Sequence, residues 1–558
     1  MKFRSNVKMV PIAAMMVAAF GTSTQAFAWT PTETHAVDRS AIRPLEKMQP
    51  GTAMHLAITL QVRDKAGLDK LVERISAGHS SEVISSEEFR NKFAPTQARV
   101  DAVVAHLRQA GFRNIEVAEN RLLITADGNA ATSRNAFNVE MQHFDVNGRK
   151  AFAAVNDAMV PDELKDVVLS VHGLQNVNRM RRHMVQADHV VPEATTGTAT
   201  GHSPTAWPTI YNAGSIPTAS GTTVGIITAG SLTQTLADLA TFVKNAGYAT
   251  PKTSTVNVGG TGTSSSSGPT EWDIDSQDIL GAAGGAVKSM VFYNAKALTD
   301  ADMTSMFNRA VSDNVAKVIN VSLGECETGA KSDGSEASDD QIFKTGIAQG
   351  QTFAVSTGDS GSYECSGKKT SIQSYPAVSP YVIAVGGTRV YTTSAGAWSS
   401  ETVWQCTSYS ACTSKNGTGG GGGGVSSTEA APSWQLSSKV LGTSTKRGVP
   451  DISFNGDPTS GSINIVNGKN AQWGGTSLAA PIFVGFWARI QSAHSNTLAF
   501  PATALYKFGP ANESTIFHDI TSGTNGGYTA STGWDYASGF GSLNVSAFAT
   551  FVNNNAGF

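Results

Sequence analysis

The sequence predicts an α/β protein in which a small ferredoxin-like domain precedes a larger domain built on a mostly parallel β-sheet. One observation is a change of composition: residues 1–194 hold 23 Lys+Arg and 21 Asp+Glu, whereas residues 195–558 hold only 18 and 23. The other is that strand and helix patterns alternate after Thr222, which is typical of a parallel sheet. The 558-residue chain also exceeds what one hydrophobic core usually supports, so at least two domains are expected.

The N-terminus has the pattern of a secretory signal. Three basic residues precede the apolar run Met9–Phe20, and Ala26-Phe27-Ala28 offers a small-x-small cleavage site. These features predict a signal peptide over residues 1–28 and an exported protein. No stretch approaches the roughly 20 apolar residues that a bilayer span needs, so no membrane partner is expected.

Residues 29–194 read as one small α/β domain. The order of strand and helix patterns favours a ferredoxin-like unit. The run Thr195–Thr200 then has the composition of an exposed linker or of a nicked pro-region junction, so we divide the chain after residue 194. Strand patterns cover Met54–Val62, Asn120–Ala126 and the end of Pro161–Leu174, and helical patterns cover Leu68–Ile75, Thr96–Gln109 and Asn129–Val139.

The larger domain, residues 195–558, supplies the predicted parallel sheet. Six consecutive glycines, Gly419 to Gly424, cannot form the interior of a helix or strand. They predict a flexible loop, with a loop that lines a substrate groove as the alternative. Predicted strands are Thr223–Thr228, Ser289–Tyr293, Val318–Ser322, Thr352–Ser356 and Tyr381–Val385, and predicted helices include Leu236–Asn245, Asp302–Asp313 and Asp340–Gln349.

Ser477 is the candidate nucleophile. It lies where the small-residue turn Gly474-Gly475 meets the apolar stretch Ala479–Ala488, beside the unpaired N–H groups of a helix start, where negative charge is favoured. An ordinary serine at a helix N-terminus is the structural alternative. No imidazole partner is evident, because His202, His494 and His518, which alone follow residue 194, lie outside any recognisable motif. A conventional Ser-His-Asp hydrolase is therefore disfavoured.

Carboxyl groups are the candidate replacement for histidine. Glu271 and Asp275 are four residues apart, so a helix places them on one face. A purely structural pair is disfavoured because like charges at this spacing repel, although acidic residues do favour helix N-termini. Two close carboxyl groups can share a proton and supply a base that acts in acid. Asp359 follows the strand Thr352–Ser356 at its carboxyl end, where open α/β sheets place their sites.

The adjacent Ser360 completes a Gly-Asp-Ser-Gly motif that also occurs in chymotrypsin-like proteases. That interpretation is disfavoured, because it needs an all-β chain and an upstream His-Cys motif. The four cysteines predict two disulfides in an exported protein. The short spacing favours Cys406–Cys412 and, by elimination, Cys326–Cys365. The net charge of −3 and the lack of a basic stripe predict no nucleic-acid partner.

Three motifs together resemble the sedolisin family of serine-carboxyl peptidases: Glu271-Trp272-Asp273-Ile274-Asp275, Ser356-Thr357-Gly358-Asp359 and Gly474-Gly475-Thr476-Ser477. The resemblance extends from the first domain to the final residues. It implies a subtilisin-like fold, with a seven-stranded parallel sheet and helices on both faces, preceded by a ferredoxin-like pro-domain.

The resemblance also implies roles for the candidate residues. Ser477 is expected to attack the scissile carbonyl, Glu271 to take its proton, and Asp275 to orient Glu271 and share that proton. Asp359 is expected to occupy the oxyanion hole in protonated form, because only a protonated carboxyl can donate a hydrogen bond. Ser360 departs from the glutamate that members often carry after this aspartate.

We therefore expect an exported acid endopeptidase that acts on proteins and peptides as a monomer. Residues 29–194 would fold and inhibit the enzyme as a pro-domain and then be removed by self-cleavage. A catalytically inactive secreted binding protein is the alternative. The resemblance further implies one Ca²⁺ ion, held by the side chains of Asp519 and Asp535 and the carbonyl groups of Ile520, Ser531 and Gly533.

Overall fold

The computed structural model describes residues 28–40, 42–187, 199–259, 269–365, 369–413, 419–555 and Gly557. The apolar part of the expected signal peptide and the expected boundary at residue 194 lie outside these ranges. Within them, no helix combines the length and apolarity that a membrane crossing requires.

The first domain contains a four-stranded antiparallel sheet. In spatial order its strands are Arg113–Val117, Leu123–Asn129, Ala53–Leu60 and Val168–His172, which is the 4-1-3-2 order of a ferredoxin-like fold read from the opposite edge. The predicted ferredoxin-like unit is therefore confirmed. A hairpin, Met141–Val146 and Arg149–Ala154, forms a separate three-stranded sheet with Arg43–Lys47. Its helices are Lys65–Ser76, Ser86–Lys92, Gln97–Ala110 and Ala130–Phe137.

The larger domain contains an eight-stranded sheet with seven parallel strands, as the resemblance implied. One antiparallel strand, Trp398–Val403, extends it beyond the implied seven. The parallel strands are Thr253–Val258, Val287–Ala295, Ala219–Ala229, Val318–Val321, Thr352–Ser356, Ile383–Thr392 and Ile452–Asn455. The main helices are Thr233–Ala246, Pro269–Ala282, Asp300–Asp313, Glu327–Asp333, Ser335–Ala348, Thr476–Ala493, Ala502–Ile516 and Val545–Asn554.

The helix Thr476–Ala493 lies at the centre of this domain. It packs on several of the parallel strands and on the helix Pro269–Ala282, and its residues from Thr476 to Gln491 are buried. Such a helix must be apolar all round, which explains the unbroken run Leu478–Ala488. Pro481 is the sixth residue of the helix, so its missing N–H leaves the carbonyl of Ser477 without its usual intrahelical partner.

The six glycines are buried, so the predicted flexible loop is wrong. The backbone N–H of Gly420 donates to the carbonyl of Asp359 at 2.9 Å, and the N–H of Gly422 donates to the carbonyl of Gly358 at 2.8 Å. A Cβ on Gly422 would lie 2.1 Å from the carbonyl oxygen of Thr357. Side chains are excluded here because two backbone segments touch, and the run thereby supports the loop that carries Asp359.

The disulfides Cys326–Cys365 and Cys406–Cys412 are formed, with the pairing expected from the spacing. The first joins the end of the strand Leu323–Cys326 to the loop that follows Asp359. The second closes the segment that precedes the glycines.

Candidate active site

Ser477 is the second residue of the helix Thr476–Ala493 and is completely buried. The residue before this helix, Gly475, has φ of +116°, a conformation that side-chain-bearing residues rarely adopt. This sharp entry aims the first N–H groups of the helix at the cleft. The Ser477 hydroxyl donates a long hydrogen bond of 3.3 Å to the carbonyl of Ser322.

Glu271 and Asp275 lie on the helix Pro269–Ala282, which packs against the helix of Ser477. Both carboxyl groups are completely buried. Burial raises the pKa of Glu271 well above its ordinary value, and the neighbouring Asp275 raises it further. The Ser477 hydroxyl is close enough to lower this pKa, although neither oxygen of Glu271 receives a well-formed hydrogen bond from a described residue.

Asp275 is held by two polar residues at the end of a central strand. Ser322 donates to Asp275 Oδ1 at 2.6 Å, and the amide of Asn320 donates to Ser322 Oγ at 2.9 Å. Burial raises the pKa of Asp275 well above its ordinary value, while the hydrogen bond from Ser322 lowers it. Ser322 therefore contacts both halves of the site, since its carbonyl also accepts from Ser477. No pattern in the sequence marked Ser322 or Asn320 as functional.

Asp359 lies beside the start of the helix Thr476–Ala493, which carries Ser477. Its Oδ1 accepts the backbone N–H of Thr476 at 2.7 Å and the Thr476 hydroxyl at 3.0 Å. Its Oδ2 is buried and has no hydrogen-bond partner among the described residues. Burial raises the pKa of Asp359 to about 7, partly opposed by the two bonds from Thr476. The free oxygen therefore carries a proton in acid solution.

Glu364 is a further buried carboxyl group beside this loop, which sequence reasoning missed. It accepts the backbone N–H of Ser360 at 2.7 Å, and burial raises its pKa well above the ordinary value. The backbone of Ser360 pairs with Gly420 at the edge of the glycine run.

Residues 181–187, which we name the strap, cross the cleft. Arg181–Arg182 pairs antiparallel with Leu323–Gly324, and Val185–Gln186 pairs antiparallel with Trp473–Gly474. Between these pairings, the backbone N–H of Ser477 donates to the carbonyl of His183 at 2.9 Å. The strap thus covers the site in the full-length chain.

None of the histidines after residue 194 lies beside Ser477. His202 packs edge-on against Trp207, and His518 stacks on Trp398 with ring centroids 3.9 Å apart. His494 follows the far end of the helix of Ser477, about 25 Å along its axis from the helical rise per residue. In the strap, the ring of His183 contacts Ser356 rather than the nucleophile.

The residues of the expected calcium site come together near the C-terminus. Asp519 Oδ2 accepts the N–H of Gly533 at 3.2 Å, and its buried Oδ1 has no partner among the described residues. Asp535 accepts the N–H of Ser531 at 2.8 Å. Glu513, which the sequence did not single out, lies close to both: burial and these two carboxyl groups raise its pKa to about 7. Crowded carboxyl groups with an unpartnered oxygen fit a cation that takes oxygen ligands.

A second acidic group lies near the first domain. Asp300, Glu325 and Asp333 are buried and can place one oxygen each within 4.8 Å of the others, an arrangement that could hold a metal ion. The Gln175 side-chain amide donates to both Asp300 and Asp333. In the described part of the chain, this is the one such cluster of three His, Cys, Asp or Glu residues.

Known proteins resemble this chain in both of its domains. The family described as Pro-kumamolisin, activation domain, matches residues 41–177. Sedolisin from Pseudomonas sp. (strain 101) is 45% identical over 99% of this chain and 97% of its own length. Xanthomonalisin from Xanthomonas sp. (strain T-22) is 42% identical over 98% of this chain and 71% of its own length.

A solved structure of Pseudomonas sedolisin, a serine-carboxyl proteinase complexed with two molecules of pseudo-iodotyrostatin, has a TM-score of 0.61 to this chain. It is 50% identical and covers 65% of this chain and 100% of that one. A shared fold alone would not establish a common chemistry. Sequence identity above 40% across nearly the whole of this chain, in contrast, shows that it belongs to the same family. The chain belongs to the sedolisin family of serine-carboxyl peptidases, and a pro-domain of the Pro-kumamolisin type precedes its peptidase domain.

Proposed function

We propose that this serine-carboxyl peptidase is an exported endopeptidase that works in acid and is made as an inactive precursor. Residues 1–28 would be the signal peptide, residues 29–194 the pro-domain, and residues 195–558 the mature enzyme. Two disulfides support export, because such bonds persist mainly in oxidising compartments. Proteins and peptides are the proposed substrates, and the pro-domain is the proposed internal inhibitor.

In the proposed mechanism, Ser477 Oγ attacks the carbonyl carbon of the scissile bond and Glu271 takes the hydroxyl proton. The 3.3 Å bond to Ser322 is long for a hydroxyl donor, so the Ser477 side chain can turn toward Glu271 at little cost. The Glu271–Asp275 pair keeps one proton between its two carboxyl groups, because burial disfavours two charges. Glu271 then returns the proton to the leaving amine.

Protonated Asp359 would donate to the oxyanion together with the backbone N–H of Ser477. Its Oδ1 is held by Thr476, which leaves Oδ2 as the donor. One donor of this kind is typically worth about 3 kcal/mol in the transition state. Because a charged Asp359 cannot donate, activity requires a pH at which this carboxyl stays protonated.

The single observation that carries the proposal is the buried Glu271–Asp275 pair beside Ser477, with no imidazole in contact with that serine among the described residues. The test is incubation of the purified precursor at pH 4 beside a Ser477→Ala variant. Shrinkage of only the unmodified chain to about 38 kDa, the mass expected for a cut near residue 194, supports both nucleophile and precursor. Equal processing of both proteins excludes Ser477 as the nucleophile.

A triple variant of His202, His494 and His518 supplies the control. We expect it to keep its peptidase activity, because His202 and His518 pack against tryptophans and His494 lies at the far end of the helix that begins beside Ser477. Loss of activity with an intact fold would instead favour a Ser-His-Asp mechanism. The inactive binding protein considered above gains no support, since all four candidate side chains are present and lie around one cleft.

We further propose one structural Ca²⁺ ion near the C-terminus. The side chains of Asp519 and Asp535 and the carbonyl groups of Ile520, Ser531 and Gly533 would hold it. The ion would neutralise the crowded carboxyl groups and fix the loop between them. A chelator should therefore lower the melting temperature, and added Ca²⁺ should restore it. In an Asp519→Asn variant the melting temperature should be lower from the start and should not respond to the chelator.

A further inference from the structure

The strap lies in the cleft as an extended chain that is paired on both sides of one peptide bond. Upstream, Arg181 is opposite Gly324 and Arg182 is opposite Leu323. Downstream, Val185 is opposite Gly474, and the N–H of Ala187 donates to the carbonyl of Gln472 at 3.1 Å. Backbone pairing of this kind is how proteins commonly bind an extended peptide. Between the two sets of pairings, only His183 and Met184 have no strand partner, and the His183–Met184 bond is at the centre of this gap.

The carbonyl of His183 occupies the oxyanion position. It accepts the N–H of Ser477 at 2.9 Å. A Cβ built on Gly475 would lie 2.1 Å from this carbonyl oxygen, 2.7 Å from Met184 Cα and 2.9 Å from Asp359 Oδ2. The carbonyl, the following residue and the free oxygen of Asp359 therefore surround one point, which a glycine leaves open. The carbonyl therefore contacts one of the two proposed oxyanion donors, and the other, Asp359 Oδ2, lies nearby without a hydrogen-bond partner among the described residues.

The side chain of His183 fills a pocket next to the nucleophile. It is only 5% exposed, and its Nδ1 lies 2.8 Å from Ser356 Oγ. A Cβ on Gly324 would lie 2.5 Å from the imidazole Cε1, so the ring fits because residue 324 is glycine. Three features thus select the same residue: the strand register, the carbonyl and the side-chain pocket.

We infer that the first substrate of this enzyme is its own chain, cut between His183 and Met184. This inference rests on the proposed function, and the self-cleavage uses the same mechanism. Ser477 Oγ bonds to the carbonyl carbon of His183, Glu271 takes the hydroxyl proton and passes it to the Met184 nitrogen, and the C–N bond breaks. Water then hydrolyses the ester between Ser477 and His183. The products are a His183 carboxylate and a Met184 amine.

This cut lies eleven residues upstream of the boundary expected from composition, which stays a prediction for the mature N-terminus. The chain between the two positions includes residues 188–194, which lie outside the described part. The strand pairing of Val185–Gln186 would hold the new N-terminus in the cleft after the first cut.

A time course tests the inference on the full-length precursor. The protein is shifted to pH 4 in water enriched in ¹⁸O, sampled from the first seconds, and analysed by N-terminal sequencing and peptide mass spectrometry. We expect the earliest new N-terminus at Met184 and heavy oxygen in the His183 carboxylate. Because the strap belongs to the same chain, the rate of this cut should not change over a 100-fold range of protein concentration.

A pair of variants examines the pocket. In His183→Trp the larger ring cannot fit between Ser356 and Gly324, so the cut before Met184 should slow at least tenfold. The matched control, His79→Trp, changes an exposed histidine of the first domain and should process at the normal rate.

The possible failures separate the two proposals. A first cut elsewhere in a chain that still hydrolyses an added peptide overturns the inference and leaves the proposed function intact. Failure of the unmodified, folded chain to cut itself or any peptide at pH 4 overturns the proposed function. Should His183→Trp fail to fold, the time course on the unmodified chain still decides the site.

Discussion

Asp359→Asn is the substitution that most directly isolates the proposed acid dependence. In this variant the amide oxygen can keep the hydrogen bonds from Thr476, while the amide nitrogen takes the place of Oδ2 as a donor. Unlike the carboxyl group, the amide donates at every pH. Asp359→Ala is the matched variant, because it removes the donor altogether.

The magnitude follows from the pKa of Asp359, which burial raises to about 7 in the strap-covered site. With that value about 10% of the carboxyl is protonated at pH 8 and about 1% at pH 9, since each pH unit is a factor of ten. Activity of the unmodified enzyme should therefore fall about 100-fold from its plateau to pH 9. Removal of the strap readmits water and lowers the pKa, so the fall begins at or below pH 7 in the mature enzyme.

The assay is kcat/KM for an internally quenched peptide from pH 3 to 9, after maturation at pH 4, with circular dichroism confirming the fold at each pH. The profile of kcat/KM reports groups of the free enzyme. We expect Asp359→Asn to lose the alkaline fall, and Asp359→Ala to be about 10²–10³-fold less active even at its optimum. If Asp359→Asn keeps the same alkaline pKa as the unmodified enzyme, protonation of Asp359 does not control activity.

Three other changes test the surroundings of the site. Ser322→Ala removes the 2.6 Å hydrogen bond that lowers the pKa of Asp275. The acid limb of the profile of kcat/KM against pH should therefore move to higher pH, and kcat should fall about tenfold. An unchanged acid limb would rule out this positioning role. Burial and the nearby Asp238 raise the pKa of Asp273 to about 8, so the folded state binds an extra proton between about pH 4 and 8 and loses stability as pH rises through that window. Between pH 4 and 8 the free energy of unfolding of Asp273→Asn, measured with urea, should therefore rise by on the order of 4 kcal/mol relative to that of the unmodified protein. If the two free energies change with pH in parallel, Asp273 is not the cause. Gly422→Ala places a Cβ against Thr357 and should lower both stability and activity by displacing the Asp359 loop, whereas Gly214→Ala, whose Cβ would meet nothing within 4 Å, should change neither.

The elements of both domains could be predicted because their hydrophobic patterns are long. The strand Thr352–Ser356 was predicted with its observed bounds, and the helix Asp302–Asp313 differs by two residues at one end. The strand Arg113–Val117 was missed, because it lies at a sheet edge, has no buried residue and so lacks an apolar alternation. The glycine run was misjudged, because composition indicates freedom of the backbone but not what packs against it.

The candidate site was predicted through side chains whose chemistry is distinctive, such as the acidic pair on one helix face. Their supports were not predicted, because Ser322 and Thr476 are ordinary hydroxyl residues whose role depends on a contact between distant segments. Glu513 was missed for the same reason: it belongs to the end of a helix and approaches Asp519 and Asp535 only in the folded chain. The contact between the strap and Ser477 was not predicted either, because the two segments are far apart in the sequence.

The attachment of the strap to the first domain has a consequence for how the enzyme is switched on. While the chain is continuous, inhibitor and cleft share one molecule, and dilution cannot separate them. Once the His183–Met184 bond is broken, the same surfaces form an ordinary two-body complex whose lifetime depends on protein concentration. Dilution into a large volume would then favour dissociation of the inhibitor. Activation would therefore need only one hydrolysis followed by dilution.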